Sequence, residues 1–150
     1  MKKVITFFII IVLIFLALKY FLPKKQEQES NGEEGEEEVI SHNDLIRVFE
    51  PNENEAISSP LKIKGEARGN WYFEASFPIK LVNRNGKELE LSQNYIMTDK
   101  EWMTEDYVSF KEEIVFDQPE TQNGTLILKK ANPSGKPELE EKLEIPVKFK

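Results

Sequence analysis

Between residues 44 and 150 the apolar positions recur at every second residue in short runs, without the three-and-four spacing of an amphipathic helix. Gly, Pro, Asn and Ser separate the runs, as they do where strands are joined by turns. The pattern predicts an all-β domain with strands at Leu45 to Phe49, Leu61 to Glu66, Tyr72 to Val82, Lys87 to Ser92, Tyr107 to Phe116, Thr125 to Lys130 and Lys142 to Phe149. About seven strands in a domain of this length suit a sandwich of two sheets.

Alternation also assigns faces, because side chains two apart share a side of a strand. In "GNWYFEASFPIKL" it sends Trp71, Phe73, Ala75, Phe77, Ile79 and Leu81 inward and leaves Tyr72, Glu74, Ser76, Pro78, Lys80 and Val82 outward. Trp71 is therefore expected in the core, and Tyr72 and Glu74 become candidate outward-facing contacts. The last strand repeats the scheme, with Leu143, Ile145, Val147 and Phe149 inward. Its Pro146 has no N–H to give a neighbour, which predicts an edge strand or a bulge. In "LVNRNGKELEL" a two-residue turn would set Leu81 against Glu90, whereas a three-residue loop ending in Gly86 sets Leu81 against Leu89. The second register keeps the apolar face intact and requires Gly86 to be left-handed.

The amino-terminal residues show another pattern. Val4 to Leu22 is apolar except for Thr6 and Lys19, and as a helix it would reach about 28 Å, close to the hydrocarbon thickness of a bilayer. The run ends in "LALKYFLPKK", which has no small-x-small cleavage site. Residues 1–25 are expected to be an uncleaved membrane anchor. The lysines flanking the run balance one another, but the short tail before it is the layout of a signal anchor that exports the rest of the chain. These features predict a single-pass membrane protein with its carboxy-terminal domain outside the cytoplasm.

Charge separates the remaining pieces. Met1 to Lys25 carries five lysines and no acid, and Gln26 to Glu38 carries seven glutamates and no base, within a chain of net charge -7. The acidic run cannot bury enough apolar surface to offset its ordering entropy, so residues 26–43 are expected to be a flexible linker, with His42 at its end. The domain then covers residues 44–150. No basic patch with interleaved aromatics is present, which argues against nucleic acid. The chain has no cysteine, so disulfides and a lipoprotein anchor are excluded.

Three blocks in order, "SSPLKIKGEARGNWYFEASFPIKLVNRNG", "EWMTEDYVSF" and "GTLILKKANPSGKPELEEKLEIPVKF", resemble the immunoglobulin-like domain of bacterial spore germination, the second Gmad type. The resemblance runs from about Ile46 to Phe149. It implies an immunoglobulin-like β-sandwich outside the cytoplasm, often on membrane-attached proteins, and it carries over no catalytic residues.

Chemistry is sparse elsewhere. Trp102 is read as a core residue like Trp71, with a carbohydrate platform as the alternative for both. Glu74 with Glu112 or Glu113 could be imagined as a glycosidase pair, but solvated strand glutamates are the plainer reading. "DKEWMTED" lacks the ligand spacing of a calcium loop. In "ANPSGKPE" the tetrad Asn132, Pro133, Ser134 and Gly135 suits a type I turn, and a turn on a rigid scaffold is also a candidate interaction loop. The sequence thus predicts a non-catalytic binding module with no cofactor or metal, attached to the membrane through its amino-terminal helix and meeting an envelope protein or a glycan. A structural spacer is the further alternative.

Overall fold

In the computed structural model, which describes residues 41–42 and 44–150, the Lys142–Phe149 strand keeps its alternation without a break. Ile145, Val147 and Phe149 are buried, and Lys142, Glu144, Pro146 and Lys148 are exposed. The predicted anchor and most of the predicted linker lie outside the described residues.

In chain order the strands are β1 (Ser41–His42), β2 (Ile46–Glu50), β3 (Glu55–Ile57), β4 (Leu61–Arg68), β5 (Ser76–Asn83), β6 (Tyr95–Met97), β7 (Tyr107–Ile114), β8 (Asn123–Lys129) and β9 (Lys142–Phe149). They form two sheets, ordered β1-β2-β4-β7 and β3-β9-β8-β5-β6. All neighbours are antiparallel except β3 and β9, which run parallel. The inward faces of both sheets share one apolar core that includes Val48, Ile63, Phe77, Ile79, Leu81, Phe110, Leu126, Leu128 and Ile145. β1 pairs Ser41 with Val48 and His42 with Arg47, so the first sheet begins before Asp44.

Several expectations are corrected. The Tyr72 to Val82 stretch is not one strand. Gly69–Trp71 forms a 3₁₀ turn, and the chain reverses between Phe73 and Ser76, whose backbones exchange hydrogen bonds of 2.9 and 3.1 Å. Only from Ser76 does the alternation describe a strand, with Phe77, Ile79 and Leu81 buried. Phe73 is consequently 45% exposed rather than inward, and Tyr72 is 4% exposed rather than outward. Lys87 to Ser92 is not a strand either: it bridges Val82 through Glu88, then meets the chain just past β7, where Leu91 bridges Phe116.

Pro146 lies in an interior strand, flanked by β3 and β8. The missing donor is tolerated because β3 is only three residues long and starts at this level, where the Pro146 carbonyl accepts the Asn54 N–H at 2.6 Å. The β5 loop does take the predicted register. Gly86 has φ of 77°, Asn83 N–H bonds to the Lys87 carbonyl, and Leu89 N–H bonds to the Leu81 carbonyl at 2.8 Å.

β4 ends where the backbone meets another segment closely. A Cβ on Gly69 would lie 2.1 Å from the Thr104 carbonyl oxygen and 2.2 Å from that of Trp102. Only glycine permits this approach, and it seats the 3₁₀ turn so that Trp71 enters the core.

Candidate functional site

The site starts from the outward positions of β5 and β6. With Phe77 and Ile96 buried, alternation turns Ser76, Pro78, Tyr95 and Met97 to the outer face of the second sheet. Ile79 N–H reaches the Asn94 carbonyl toward β6, so the neighbouring Pro78 faces β8, to which it has no N–H to give. The ladder with β8 accordingly begins only at Ile79. Past that point the chain leaving β8 departs, Lys130 N–H going to the Glu141 carbonyl and Ala131 N–H to the Trp71 carbonyl.

A groove of about 530 Å³ fills the space so opened, lined by Phe73 and Glu74 on one side, Tyr95 and Met97 on another, and Ala131 to Pro133 on a third. Phe73, Tyr95 and Met97 are 45%, 53% and 57% exposed. Large apolar side chains that stay exposed and share a concavity mark an interaction surface more strongly than scattered ones do. Another groove, about 590 Å³, crosses the outer face of the first sheet and holds Lys64, Lys100, Lys111, Asp99 and Glu112. Its lining carries charges of both signs, whereas among the described residues the groove beside Phe73 holds a single carboxylate.

The reversal that carries Phe73 and Glu74 is unusual. Its two central residues, Glu74 and Ala75, have φ of 50° and 59°. A two-residue hairpin turn with both central residues left-handed ordinarily uses Asn-Gly, because a Cβ there crowds the backbone at about 1 kcal/mol or more per residue. Neither residue relieves that strain through its own chemistry. Glu74 is exposed, with no ion pair or hydrogen bond from its carboxylate among the described residues.

The structure therefore brings Glu74, Asn132 and Pro133 together. The tetrad is a closed turn: Gly135 N–H bonds to the Asn132 carbonyl at 3.0 Å, and Gly135 has φ of 64°. Asn132 spends its amide within the loop, Nδ2 donating to the Lys136 carbonyl at 2.8 Å and Oδ1 accepting from the Ser134 hydroxyl at 2.7 Å. Ser134 and Gly135 do not line the groove. Tyr95 and Met97, which do, carried no sequence signal, because a three-residue strand with one inward side chain has no periodicity to detect.

Tyr72 belongs to the core and not to this surface. Its ring packs against Phe77 at 5.1 Å between centroids, and its hydroxyl donates to the Val108 carbonyl at 2.9 Å. Burial, and secondarily the Glu66 carboxylate, pushes the hydroxyl above the usual tyrosine range. The fold thus favours the neutral phenol. Its contribution is intact below the unfolded-state pKa of about 10 and is lost as pH rises beyond it. Tyr72→Phe is expected to cost about 1 kcal/mol near neutral pH through the lost bond. It should also flatten the decline in stability above about pH 10, read as urea midpoints along an alkaline series. An unchanged decline would place its origin elsewhere.

Trp71 is fully buried, as its phase suggested, and Trp102 is partly buried against the same core. In the segment 99–106, Glu101 accepts from Met103 N–H and Thr104 from Asp106 N–H. Among the described residues no group of three His, Cys, Asp or Glu side chains is placed to hold a metal ion.

The chain matches the family described as the immunoglobulin-like domain of bacterial spore germination, Gmad2, over residues 45–136. No curated protein and no solved structure matches it.

Proposed function

Since the chain belongs to the family of immunoglobulin-like domains of bacterial spore germination, we propose that it is a non-catalytic interaction module, held outside a bacterial membrane by its amino-terminal apolar segment, that docks an envelope protein in the groove. The convergence of Phe73, Tyr95 and Met97 on one concavity carries this reading. The polar inventory of the groove favours protein over glycan. The Ser76 hydroxyl bonds to the Phe73 carbonyl and the Asn132 amide is spent in its loop. What remains is the Glu74 carboxylate and the Tyr95 hydroxyl, too few partners for the hydroxyls of a sugar ring, which must keep their hydrogen bonds on leaving water.

The absence of native cysteine supplies a direct test. Tyr95→Cys provides a single thiol in the groove, and Lys148→Cys provides one on the outward side of β9. A membrane-impermeant, thiol-directed photocrosslinker is added to intact cells, or to spheroplasts where an outer membrane intervenes. Both variants are expected to be labelled before lysis, and only Tyr95→Cys should give a discrete protein adduct. Labelling that waits for lysis would place the domain inside the cell. Labelling without an adduct would leave the domain a spacer.

A further inference from the structure

We propose that Glu74 is the specificity-determining residue of the groove and selects a protein segment in which an apolar side chain stands next to Lys or Arg; this rests on reading the groove as a protein-docking surface. The first ground is the turn itself. Glu74 and Ala75 occupy left-handed positions that Asn and Gly would fill without strain. A glutamate adds nothing to that geometry, and its carboxylate makes no ion pair or hydrogen bond among the described residues. Backbone strain of this kind clusters at ligand clamps and other functional sites.

The second ground is charge. Among the described residues Glu74 is the one charged side chain lining the groove, beside Phe73, Phe77, Pro78, Tyr95, Met97 and Pro133. A cation entering there meets a carboxylate with no competing internal partner. The exposed Phe73 and Tyr95 rings attract the same charge through their faces. The apolar remainder of the groove takes a neighbouring aliphatic or aromatic side chain. An acidic segment would meet only repulsion, so the groove discriminates by sign as well as by fit.

The test is selection from a phage-displayed random peptide library on the immobilised full-length chain, in parallel with Glu74→Gln, Glu74→Lys and Tyr95→Ala. The native chain is expected to enrich peptides pairing an apolar residue with Lys or Arg. Their affinity should fall at least about tenfold in Glu74→Gln, the scale of losing one charge-assisted contact, and Glu74→Lys should reverse the preference toward acidic peptides. Enriched peptides without a basic preference, or indifferent to Glu74→Gln, would overturn the assignment of Glu74 and leave the docking groove standing. Peptides that bind Tyr95→Ala as well as the native chain, or no enrichment at all, would overturn the groove. Thermal melts of Glu74→Asn and Ala75→Gly supply an independent readout. Each should melt about 4 to 8 °C higher on relief of the turn, and only Glu74→Asn should lose the basic preference. A lower melting point for Glu74→Asn would make the carboxylate a structural group and overturn the proposal.

Discussion

Ile79→Asp is expected to abolish folding, and Lys80→Asp, one residue along the same strand, to leave the fold standing. Ile79 is 1% exposed on the inner face of β5, where it pairs with Leu128 of β8. A carboxylate there loses its hydration without gaining a partner, and it either stays charged at a cost of several kcal/mol or takes up a proton. Set against a typical domain stability of about 5 to 15 kcal/mol, with the loss of the isoleucine's own packing added, the variant falls below the threshold. Lys80 points the other way, and its ammonium lies 2.7 Å from Glu88 with both side chains largely solvated. Reversing its charge forfeits a surface pair worth about 1 kcal/mol at most and adds a screened repulsion of similar size. Circular dichroism and cooperative melts on the two variants make the comparison. Equal damage from both would mean that the faces of β5 are wrongly assigned.

How far such faces can be read from sequence depends on what sets them locally. β9 was legible because eight residues alternate without a reversal, and its parity alone separates Ile145 and Val147 from Glu144 and Lys148. The loop after β5 was legible because one register keeps leucine against leucine and the other does not, and Gly86 could supply the left-handed residue. The opening of β5 was not. Trp71, Phe73 and Ala75 are spaced by two like strand residues, while the backbone passes through a 3₁₀ turn and a reversal whose left-handed positions hold Glu and Ala. Neither residue type signals a positive φ, so the chain's strongest alternation concealed its sharpest turn. β3 escaped for a different reason. Its parallel pairing with β9 joins residues far apart in sequence, and of its three side chains only Ile57 is buried.

The candidate site inherits both outcomes. Asn132 to Gly135 announced itself by turn chemistry, and the exposure of Glu74 came out of either reading of its segment. Their proximity did not, because it depends on the reversal at Glu74 and on the β8 chain departing opposite Pro78. Tyr95 and Met97 join them only through the register of a three-residue edge strand, Pro78 against Tyr95 and Ser76 against Met97.

The reversal also changes what Trp71 and its neighbour should do when truncated. Trp71→Ala is expected to cost about 3 to 5 kcal/mol, the range for emptying a large aromatic from a core, because Trp71 is fully buried and meets Phe77 edge-on at 6.2 Å. Alternation alone would spare Tyr72→Ala. The structure reverses that expectation, since Tyr72 packs on Phe77 from another side and its hydroxyl closes on the Val108 carbonyl. Its removal leaves a cavity and takes the hydroxyl's bond from the Val108 carbonyl, which keeps its place opposite Ala67 in the β4–β7 ladder, a loss comparable to that of Trp71→Ala. Trp71→Phe separates volume from polarity. The indole Nε1 is buried with no hydrogen-bond partner among the described residues, so phenylalanine forfeits packing but none of their bonds and should retain most of the stability. Urea unfolding of the three variants reads the outcome, with Phe73→Ala as the exposed neighbour that should stay within about 0.5 kcal/mol of the native chain. A stable Tyr72→Ala beside a destabilised Phe73→Ala would restore the unbroken strand and remove the turn on which the groove depends.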